Sequence, residues 1–239
     1  MIEEKKQFLS IQVLGIVMQL IDLSHTIKQG IPTFNPTAPQ PKIYPWLSHS
    51  QAANSESYLG CSCEITEVRF LTSIGTYIDS PYHFYPDKDS IESLKLDQLI
   101  LPGIVIDCTS AEKRMPIQPA VLRDVDIRGK AVLFHTGWSQ YWGSTGYSDH
   151  PFLNQETAVS LLEGGAKLAG VDFLVIDDTR NSKRPVHVTL LKNDILIVEN
   201  LTNLHRLADS TFTFHAVPTK IEGAASFPVR AYAVENRVT

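Results

Sequence analysis

Short apolar and β-branched runs, separated by glycine and proline, recur along the whole chain. Runs of this length and composition predict β-strands rather than long helices. The predicted strands lie near 20–26, 64–71, 103–108, 131–136, 172–176, 195–199, 211–217 and 228–235.

Three gaps between these runs have helical character. The longest predicted helix covers 155–168, with Asn154 as its N-cap. Shorter helices are predicted over 186–193 and 118–124, each near a proline that suits a first helical turn. Many strands in mixed spacing with few long helices favour an α/β layered fold with a mixed sheet over a doubly wound one.

Length and composition are compatible with one domain. The 239 residues are 43% hydrophobic and 20% charged, which is enough apolar material for a single large core. We expect residues 1–19 to form an N-terminal extension and entry strand, and residues 20–239 to form the domain. The apolar N-terminal run is interrupted by glutamines and is too short to span a bilayer.

The charge pattern narrows the range of partners. The formal net charge is -5, and acids and bases are interspersed without a block of one sign. This pattern argues against nucleic acid and membrane surfaces as partners. Cys61, Cys63 and Cys108 are odd in number and lack paired Cys-x-x-Cys spacing, which predicts a reducing compartment, the cytoplasm. The sequence contains no glycine-rich phosphate-binding motif, which argues against a nucleotide or dinucleotide cofactor.

The stretch SIGTYIDSPYHF, residues 73–84, concentrates turn formers and ligand-type side chains. Gly75 and Pro81 bend the chain after a predicted strand, which would place Asp79 and His83 on a loop at the strand end. Four residues apart, they can converge on one cavity. Alternatively, Asp79 caps a turn and His83 packs against its aromatic neighbours.

A second stretch, HVTLLKNDILIVENLTNL, places His187 near a helix start and Glu199 at the end of an apolar strand. A carboxylate that ends a buried strand is costly unless a cation or a hydrogen-bond donor meets it. The plainer alternative is a salt bridge from Glu199 to Arg184, Lys192 or Arg206.

Together these stretches resemble the cyclase family of metal-dependent hydrolases, which includes bacterial kynurenine formamidase (arylformamidase) and isatin hydrolase. That family carries His-x-Gly-Thr-His-x-Asp-x-Pro-x-His, where this chain reads SIGTYIDSPYH from residue 73. The resemblance continues through IDLSHTIKQGIPTF, TGWSQYW, ENLTNL and SFPVRAYAV. It implies a swivelling β/β/α-type fold and a homodimer or homotetramer.

By this resemblance, Asp79, His187 and Glu199 are metal ligands and His83 is the acid–base residue. Ser73 and Tyr77 stand where the family has two further histidine ligands, and neither hydroxyl is a good replacement ligand. In the family arrangement those histidines serve one of two metals, so one divalent ion is expected here, Mn or Zn, with Mg also compatible. Tyr77 either donates to a developing oxyanion or packs in the vacated space.

The implied reaction is hydrolysis of a small-molecule amide, cyclic amide or imide, or lactone. Metal-activated water would attack, with His83 as general acid/base. The alternative is a catalytically impaired member that binds a small molecule, which the two lost histidines favour. Retention of the other four residues favours the enzyme.

Two further features have structural explanations. Adjacent strand residues point to opposite faces, so Asp177 and Asp178 should not bind one ion; a turn with a salt bridge to Arg180 is the better interpretation. His25 either lines the pocket or, more simply, is satisfied by the main chain at a strand end.

Overall fold

The structure is a computed structural model that describes residues 10–13, 16–35, 37–207 and 210–238. Its strands, in chain order, are β1 Ser10–Val13, β2 Ile16–Asp22, β3 Lys42–Leu47, β4 Ile65–Arg69, β5 Tyr77–Asp79, β6 Ile100–Asp107, β7 Pro116–Ile117, β8 Ala131–His135, β9 Phe152–Leu153, β10 Leu168–Val171, β11 Leu196–Glu199, β12 Phe212–His215, β13 Ser226–Pro228 and β14 Tyr232–Val238. The helices are α1 His49–Ala53, α2 Leu96–Leu99, α3 Gln155–Gly164 and α4 Pro185–Lys192.

Ten of these strands form one sheet in the order β1-β2-β14-β12-β6-β8-β10-β11-β5-β13. Neighbours among β6, β8, β10 and β11 are parallel, and the other pairs are antiparallel. The predicted α/β class with a mixed sheet is therefore confirmed. Two smaller sheets, β3-β4 and β7-β9, lie outside it.

Side chains on the two faces of the sheet enter two different cores. On β8, Leu133 belongs to one core, while Val132 and Phe134 belong to the other. This is the alternation expected of a strand buried on both faces. Helices α3 and α4 cover the second face, whereas the first face packs against residues of β2, β12 and β14, onto which the sheet curls.

The helix predictions hold in part. α3 begins after Asn154, whose side chain accepts a hydrogen bond from Thr157 N at 2.9 Å, as predicted for an N-cap. It ends earlier than predicted, because Gly165 adopts φ 77°, a left-handed conformation that terminates helices. The helix predicted over 118–124 is only a short 3₁₀ turn, Pro119–Leu122.

The strand predicted over 172–176 is wrong. β10 ends at Val171, and the apolar residues that follow form a buried loop. Their polar groups find partners outside a strand ladder: the Asp172 carboxylate accepts N–H bonds from Thr136 and Gly137, and the Phe173 carbonyl accepts one from Asn200. A buried loop whose backbone groups are hydrogen-bonded in this way can have the same apolar sequence pattern as a buried strand.

The N-terminal prediction falls partly outside the described residues. β1 and β2 form an antiparallel hairpin at one edge of the sheet, while residues 1–9 are not described. The strand predicted near 20–26 begins earlier, at Ile16, and ends at Asp22. No helix within the described ranges is long and apolar enough to cross a membrane.

The close packing of Phe212 against Gly103 leaves no room for a side chain at position 103. A Cβ added there would lie 2.0 Å from the ring of Phe212, its partner on the neighbouring strand. We expect Gly103→Ala to lower the free energy of unfolding by about 1–3 kcal/mol, because overpacking a rigid core forces side chains and backbone to shift. Urea denaturation measures the change.

Gly146→Ala is the matched control, since its added Cβ would meet only Ser144 Oγ at 3.8 Å. It should change the free energy of unfolding by less than about 0.5 kcal/mol. Adding Phe212→Leu to Gly103→Ala should recover part of the loss. Equal stability of the two alanine variants would contradict the packing described here.

Candidate functional site

Strand register brings three of the predicted site residues to one face of the sheet. β5 pairs antiparallel with β11, with Tyr77 opposite Glu199 and Asp79 opposite Ile197. Residues two apart on a strand share a face, so Tyr77, Asp79 and Glu199 all point toward the side covered by α4. Ile78 points into the opposite core.

Helix α4 adds His187 to this face, and Asp177 holds both the helix and the imidazole. One Asp177 oxygen accepts from Val186 N at 2.8 Å; the other accepts from His187 N at 3.0 Å and contacts His187 Nδ1 at 2.6 Å. A carboxylate at a helix start satisfies amides that have no helical partner. Because Nδ1 donates its proton to Asp177, His187 presents Nε2 to the sheet.

His83 completes the cluster from the other side. It ends a 3₁₀ turn, Pro81–His83, that follows β5 directly. Its Nε2 lies 3.9 Å from Asp79 Oδ1, while Asp79 Oδ2 lies 3.8 Å from His187 Nε2. One ligand atom each from Asp79, His83 and His187 fall within 4.8 Å of one another. The His83 side chain is 33% exposed, so this residue faces the entrance.

Asp79 is the residue whose environment calls for a cation. Its side chain is 1% exposed, and both carboxylate oxygens are buried without a hydrogen-bond partner. Burying a carboxylate that accepts no hydrogen bond costs several kcal/mol, on the order of the desolvation penalty of an ion in a protein interior. The nearest groups able to carry positive charge, His187 and His83, lie at 3.8 and 3.9 Å, beyond hydrogen-bond distance. The donor set around it, imidazole nitrogen and carboxylate oxygen, is one that divalent Zn and Mn accept. The residues therefore fit a divalent metal ion.

Glu199, by contrast, has donors on both oxygens. Oε1 accepts from Ile176 N at 2.6 Å and also lies 3.6 Å from His187 Nε2, and Oε2 accepts from the Tyr77 hydroxyl. Burial raises the pKa of Glu199 to about 7 and raises the pKa of Tyr77 well above its ordinary value. The phenol therefore stays protonated and its one proton is committed to Glu199.

The charges around His187 favour positive charge at this position. Burial alone lowers the pKa of His187, but the hydrogen bond to Asp177 and the nearby Asp79 and Glu199 carboxylates outweigh burial and raise that pKa to about 10. Three buried carboxylates thus surround one imidazole. A metal ion bound by Asp79 would supply the positive charge and leave His187 neutral, the form that ligates metals.

A cavity of about 120 Å³ opens onto this cluster. Four of the predicted site residues line it: Tyr77, His83, His187 and Glu199. The other lining residues are Phe34, Ser73, Phe84, Val175 and Arg184. Phe84 stacks on His187 with ring centroids 5.2 Å apart. Ser73 hydrogen-bonds to Ser226 Oγ at 2.8 Å.

The structure thus brings Asp79, His83, His187 and Glu199 together with Tyr77. It also shows that Glu199 makes no salt bridge to Arg184, Lys192 or Arg206 in the described part of the chain.

Asp177 is the residue that sequence reasoning missed. Asp178 does pair with Arg180, at 2.8 Å, as expected for a turn. Asp177 points the other way and positions His187. Spacing does not reveal this role, because Asp177 and Asp178 lie in a loop rather than a strand, and the direction of Asp177 follows from its contacts with the start of α4.

His25 lies outside the cluster. Its ring stacks on Trp142 with centroids 4.1 Å apart, and Nε2 is buried without a hydrogen-bond partner. The expectation that the main chain satisfies this imidazole is therefore wrong for Nε2. Aromatic stacking can hold an imidazole by burial alone.

Most of the chain matches a known protein family. Residues 21–178 match a family described as "Putative cyclase". Kynurenine formamidase of Geobacillus thermodenitrificans (strain NG80-2) is 27% identical over 213 residues, covering 88% of this chain and 95% of that protein. An uncharacterized protein of Methanocaldococcus jannaschii is 30% identical over 188 residues, covering 66% of this chain and 95% of that one.

Among solved structures, isatin hydrolase A from Ralstonia solanacearum has a TM-score of 0.80 at 21% identity. The alignment covers 91% of this chain and 92% of that one. At this identity the likeness shows a shared fold, and it confirms the fold type that the resemblance implies.

The role of Asp177 can be separated from that of its neighbour. We expect Asp177→Ala to lower the free energy of unfolding by about 2–5 kcal/mol, because two main-chain N–H groups and the His187 imidazole lose their acceptor. Asp178→Ala removes a surface ion pair with Arg180 and one exposed turn hydrogen bond, from Arg180 N at 3.0 Å, and should cost about 1 kcal/mol. Urea denaturation of both variants, each treated with chelator, makes the comparison. Similar losses in the two variants would show that Asp177 does not hold α4.

Proposed function

Because the chain belongs to the putative cyclase family, we propose that it is a metal-dependent hydrolase of a carbon–nitrogen bond in a small-molecule amide. The observation that carries the proposal is the buried Asp79 carboxylate, which accepts no hydrogen bond and faces His187 and His83, two residues that line the cavity. A carboxylate in that state is stabilised by a cation, and no side chain among the described residues donates a hydrogen bond to it.

We assign the metal to Asp79, His187 and Glu199. Asp79 offers two free oxygens, and His187 offers Nε2 because Nδ1 is held by Asp177. Such a carboxylate–histidine pair orients a ligand imidazole and strengthens it as a ligand. Glu199 Oε1 lies 3.6 Å from His187 Nε2 and keeps a second lone pair beside its bond to Ile176 N. Mn or Zn suits this set, and Mg is compatible with its carboxylates.

The ion would supply Lewis-acid polarisation of the scissile carbonyl and a bound water of lowered pKa. His83 accepts a proton from the attacking water and returns it to the leaving nitrogen, so that a C–O bond forms as the C–N bond breaks. Its place at the exposed rim, next to Asp79, suits a group that must contact both water and substrate.

Tyr77 acts on Glu199 in this proposal. Its one hydroxyl proton is donated to Glu199 Oε2, which leaves none for a developing oxyanion. The hydrogen bond fixes the glutamate and removes one of its oxygens from metal binding. The replacement of two motif histidines by Ser73 and Tyr77 supports a single ion per chain.

The proposed substrate is a small amide, with a cyclic amide or imide or a lactone as related candidates. The relatives named kynurenine formamidase and isatin hydrolase support this class. The cavity of about 120 Å³ with its phenyl walls suits a compact, partly apolar molecule. The rival proposal, a binding protein that has lost its chemistry, explains the loss of two motif histidines, but it gives no reason for the ordered Asp177–His187–Asp79 chain.

We also propose a homodimer or homotetramer in the cytoplasm. The arm formed by β3 and β4 exposes apolar side chains, with Trp46 65%, Val68 49% and Ile43 47% exposed. Exposed apolar groups of this kind mark contact surfaces, here for a second copy. Cys61, Cys63 and Cys108 are free thiols, which suits a reducing compartment.

Metal content tests the ligand assignment. After reconstitution with Mn²⁺ or Zn²⁺ and removal of free metal, the wild type should hold about one ion per chain, as a three-ligand catalytic site does. Asp79→Ala and Glu199→Gln should each lose it, because each removes a charged ligand. Elemental mass spectrometry gives the stoichiometry, and circular dichroism confirms that the variants are folded.

Asp178→Ala is the control and should keep its metal, since Asp178 is engaged with Arg180 outside the cluster. The variant His83→Ala discriminates the two candidate third ligands. Loss of metal in His83→Ala with retention in Glu199→Gln would reassign the third ligand to His83, and absence of metal from the reconstituted wild type would support the binding-protein alternative.

Kinetics test the role of His83. We expect His83→Ala to lower kcat for an N-formyl aryl amide by about 10²–10⁴-fold, the usual contribution of a general acid/base, with metal content unchanged. His49→Ala is the matched control, because His49 is an exposed histidine hydrogen-bonded to Ser62 and lies outside the cavity. Unchanged turnover in His83→Ala would remove His83 from the mechanism.

A further inference from the structure

Arg184 brings a permanent positive charge to the cavity over the cluster. Among the described residues that line this cavity, it is the only one of the lysine or arginine type. The other ionisable members of the lining are His83, His187, Tyr77 and Glu199. Among these described lining residues, Glu199 is the one carboxylate and Arg184 is the one permanent cation.

The Arg184 guanidinium has no carboxylate partner within the part of the chain that the structure describes. Its one hydrogen bond goes to the main-chain oxygen of Asp178, at 3.3 Å. The Asp178 carboxylate itself is taken by Arg180, through contacts of 2.8 and 3.0 Å. A guanidinium carries five N–H donors in a planar fork that matches a carboxylate, so most of the Arg184 donors remain available.

The backbone holds Arg184 in an unusual conformation at this position. Its φ and ψ are 47° and 55°, the left-handed region, immediately before Pro185 and the start of α4. Such a conformation in a residue other than glycine persists where the surroundings impose it. Here Val188 N donates to the Arg184 carbonyl at 3.0 Å, and Asp177 caps the next two amides. The turn that positions His187 therefore also positions Arg184.

Two phenyl rings share the cavity with Arg184. Phe34 is 47% exposed, and Phe84 stacks on His187. The volume of about 120 Å³ is close to that of the cavity of about 150 Å³ known to admit benzene. The lining thus offers apolar walls for one ring and a fork of donors for an anion.

We propose that Arg184 is a specificity-determining residue that binds an anionic substituent of the substrate, so that the enzyme selects small aryl amides carrying a carboxylate over neutral ones. This proposal rests on the proposed hydrolase function. Arg184 contacts the substituent and leaves the reacting carbon to the Asp79 cluster. Its removal therefore acts on substrate binding.

Matched substrates test the proposal. The three isomers of formamidobenzoate carry the anion at different positions, and each is paired with its neutral formamidobenzamide. Wild-type enzyme should hydrolyse at least one anionic isomer with kcat/KM about tenfold or more above its neutral twin, as a charge-assisted hydrogen bond provides. Arg184→Gln should abolish that preference by raising KM, with kcat within about twofold.

The variants separate charge from structure. Arg184→Gln keeps an N–H donor for the Asp178 carbonyl but removes the charge. Arg184→Lys keeps the charge and should restore part of the preference. Lys183→Gln removes one neighbouring charge outside the cavity and should behave as wild type. An equal loss on the anionic and neutral substrates in Arg184→Gln would overturn the proposal in favour of a structural role. A wild type without any anionic preference would overturn it too.

A binding measurement keeps the inference independent of turnover. If the wild type hydrolyses none of these amides, the proposed hydrolase function fails, and calorimetric titration with benzenesulfonate and neutral methyl phenyl sulfone then tests Arg184 alone. Wild type and Lys183→Gln should bind benzenesulfonate about tenfold or more tightly than Arg184→Gln does, with equal affinity of all three for the sulfone. Equal benzenesulfonate binding by wild type and Arg184→Gln would overturn the assignment.

Discussion

The antiparallel register between β5 and β11 decides which side chains can meet. It sets Tyr77 opposite Glu199 and turns Asp79 to the same face, while Ile78 and Val198 enter the opposite core. Apolar burial on both faces holds the register, at roughly 25 cal/mol for each Å² removed from water. The same burial keeps water away from the carboxylates and makes their partners matter.

The three buried carboxylates around His187 have different hydrogen-bond partners, and each set of partners corresponds to a different role. Asp177 accepts N–H groups at the start of α4 and the His187 imidazole, so its charge serves the architecture. Glu199 accepts from Ile176 N and Tyr77. Asp79 accepts from no group in the described chain, which leaves its charge available to a ligand. Asp79 is therefore the carboxylate of the three that most needs a cation.

The sequence predicts what depends on local pattern. The N-cap at Asn154, the strand that ends in Glu199 and the helix that carries His187 all follow from periodicity and capping chemistry. The loop at 172–176 does not, because its backbone partners come from residues distant in the chain, such as Thr136 and Asn200. The run of apolar letters is the same in either conformation.

The candidate site shows the same division. A family resemblance marks Asp79, His83, His187 and Glu199, but neither the bond from Tyr77 to Glu199 nor the hold of Asp177 on His187 can be read from spacing. Tyr77 and Glu199 are 122 positions apart in the chain and meet only through strand pairing. Such contacts depend on register, which several competing pairings of short strands could satisfy before the full sheet forms.

The period of two along β5 also constrains how this protein can diverge. Substitution at position 77 or 79 changes the chemistry of the cavity and leaves Ile78 in the opposite core. Insertion or deletion of one residue within the strand would exchange the two faces, sending an aliphatic side chain to the cavity and a carboxylate into the apolar core. Single substitutions can therefore change the site during evolution, whereas insertions and deletions are confined to the loops on either side of the strand.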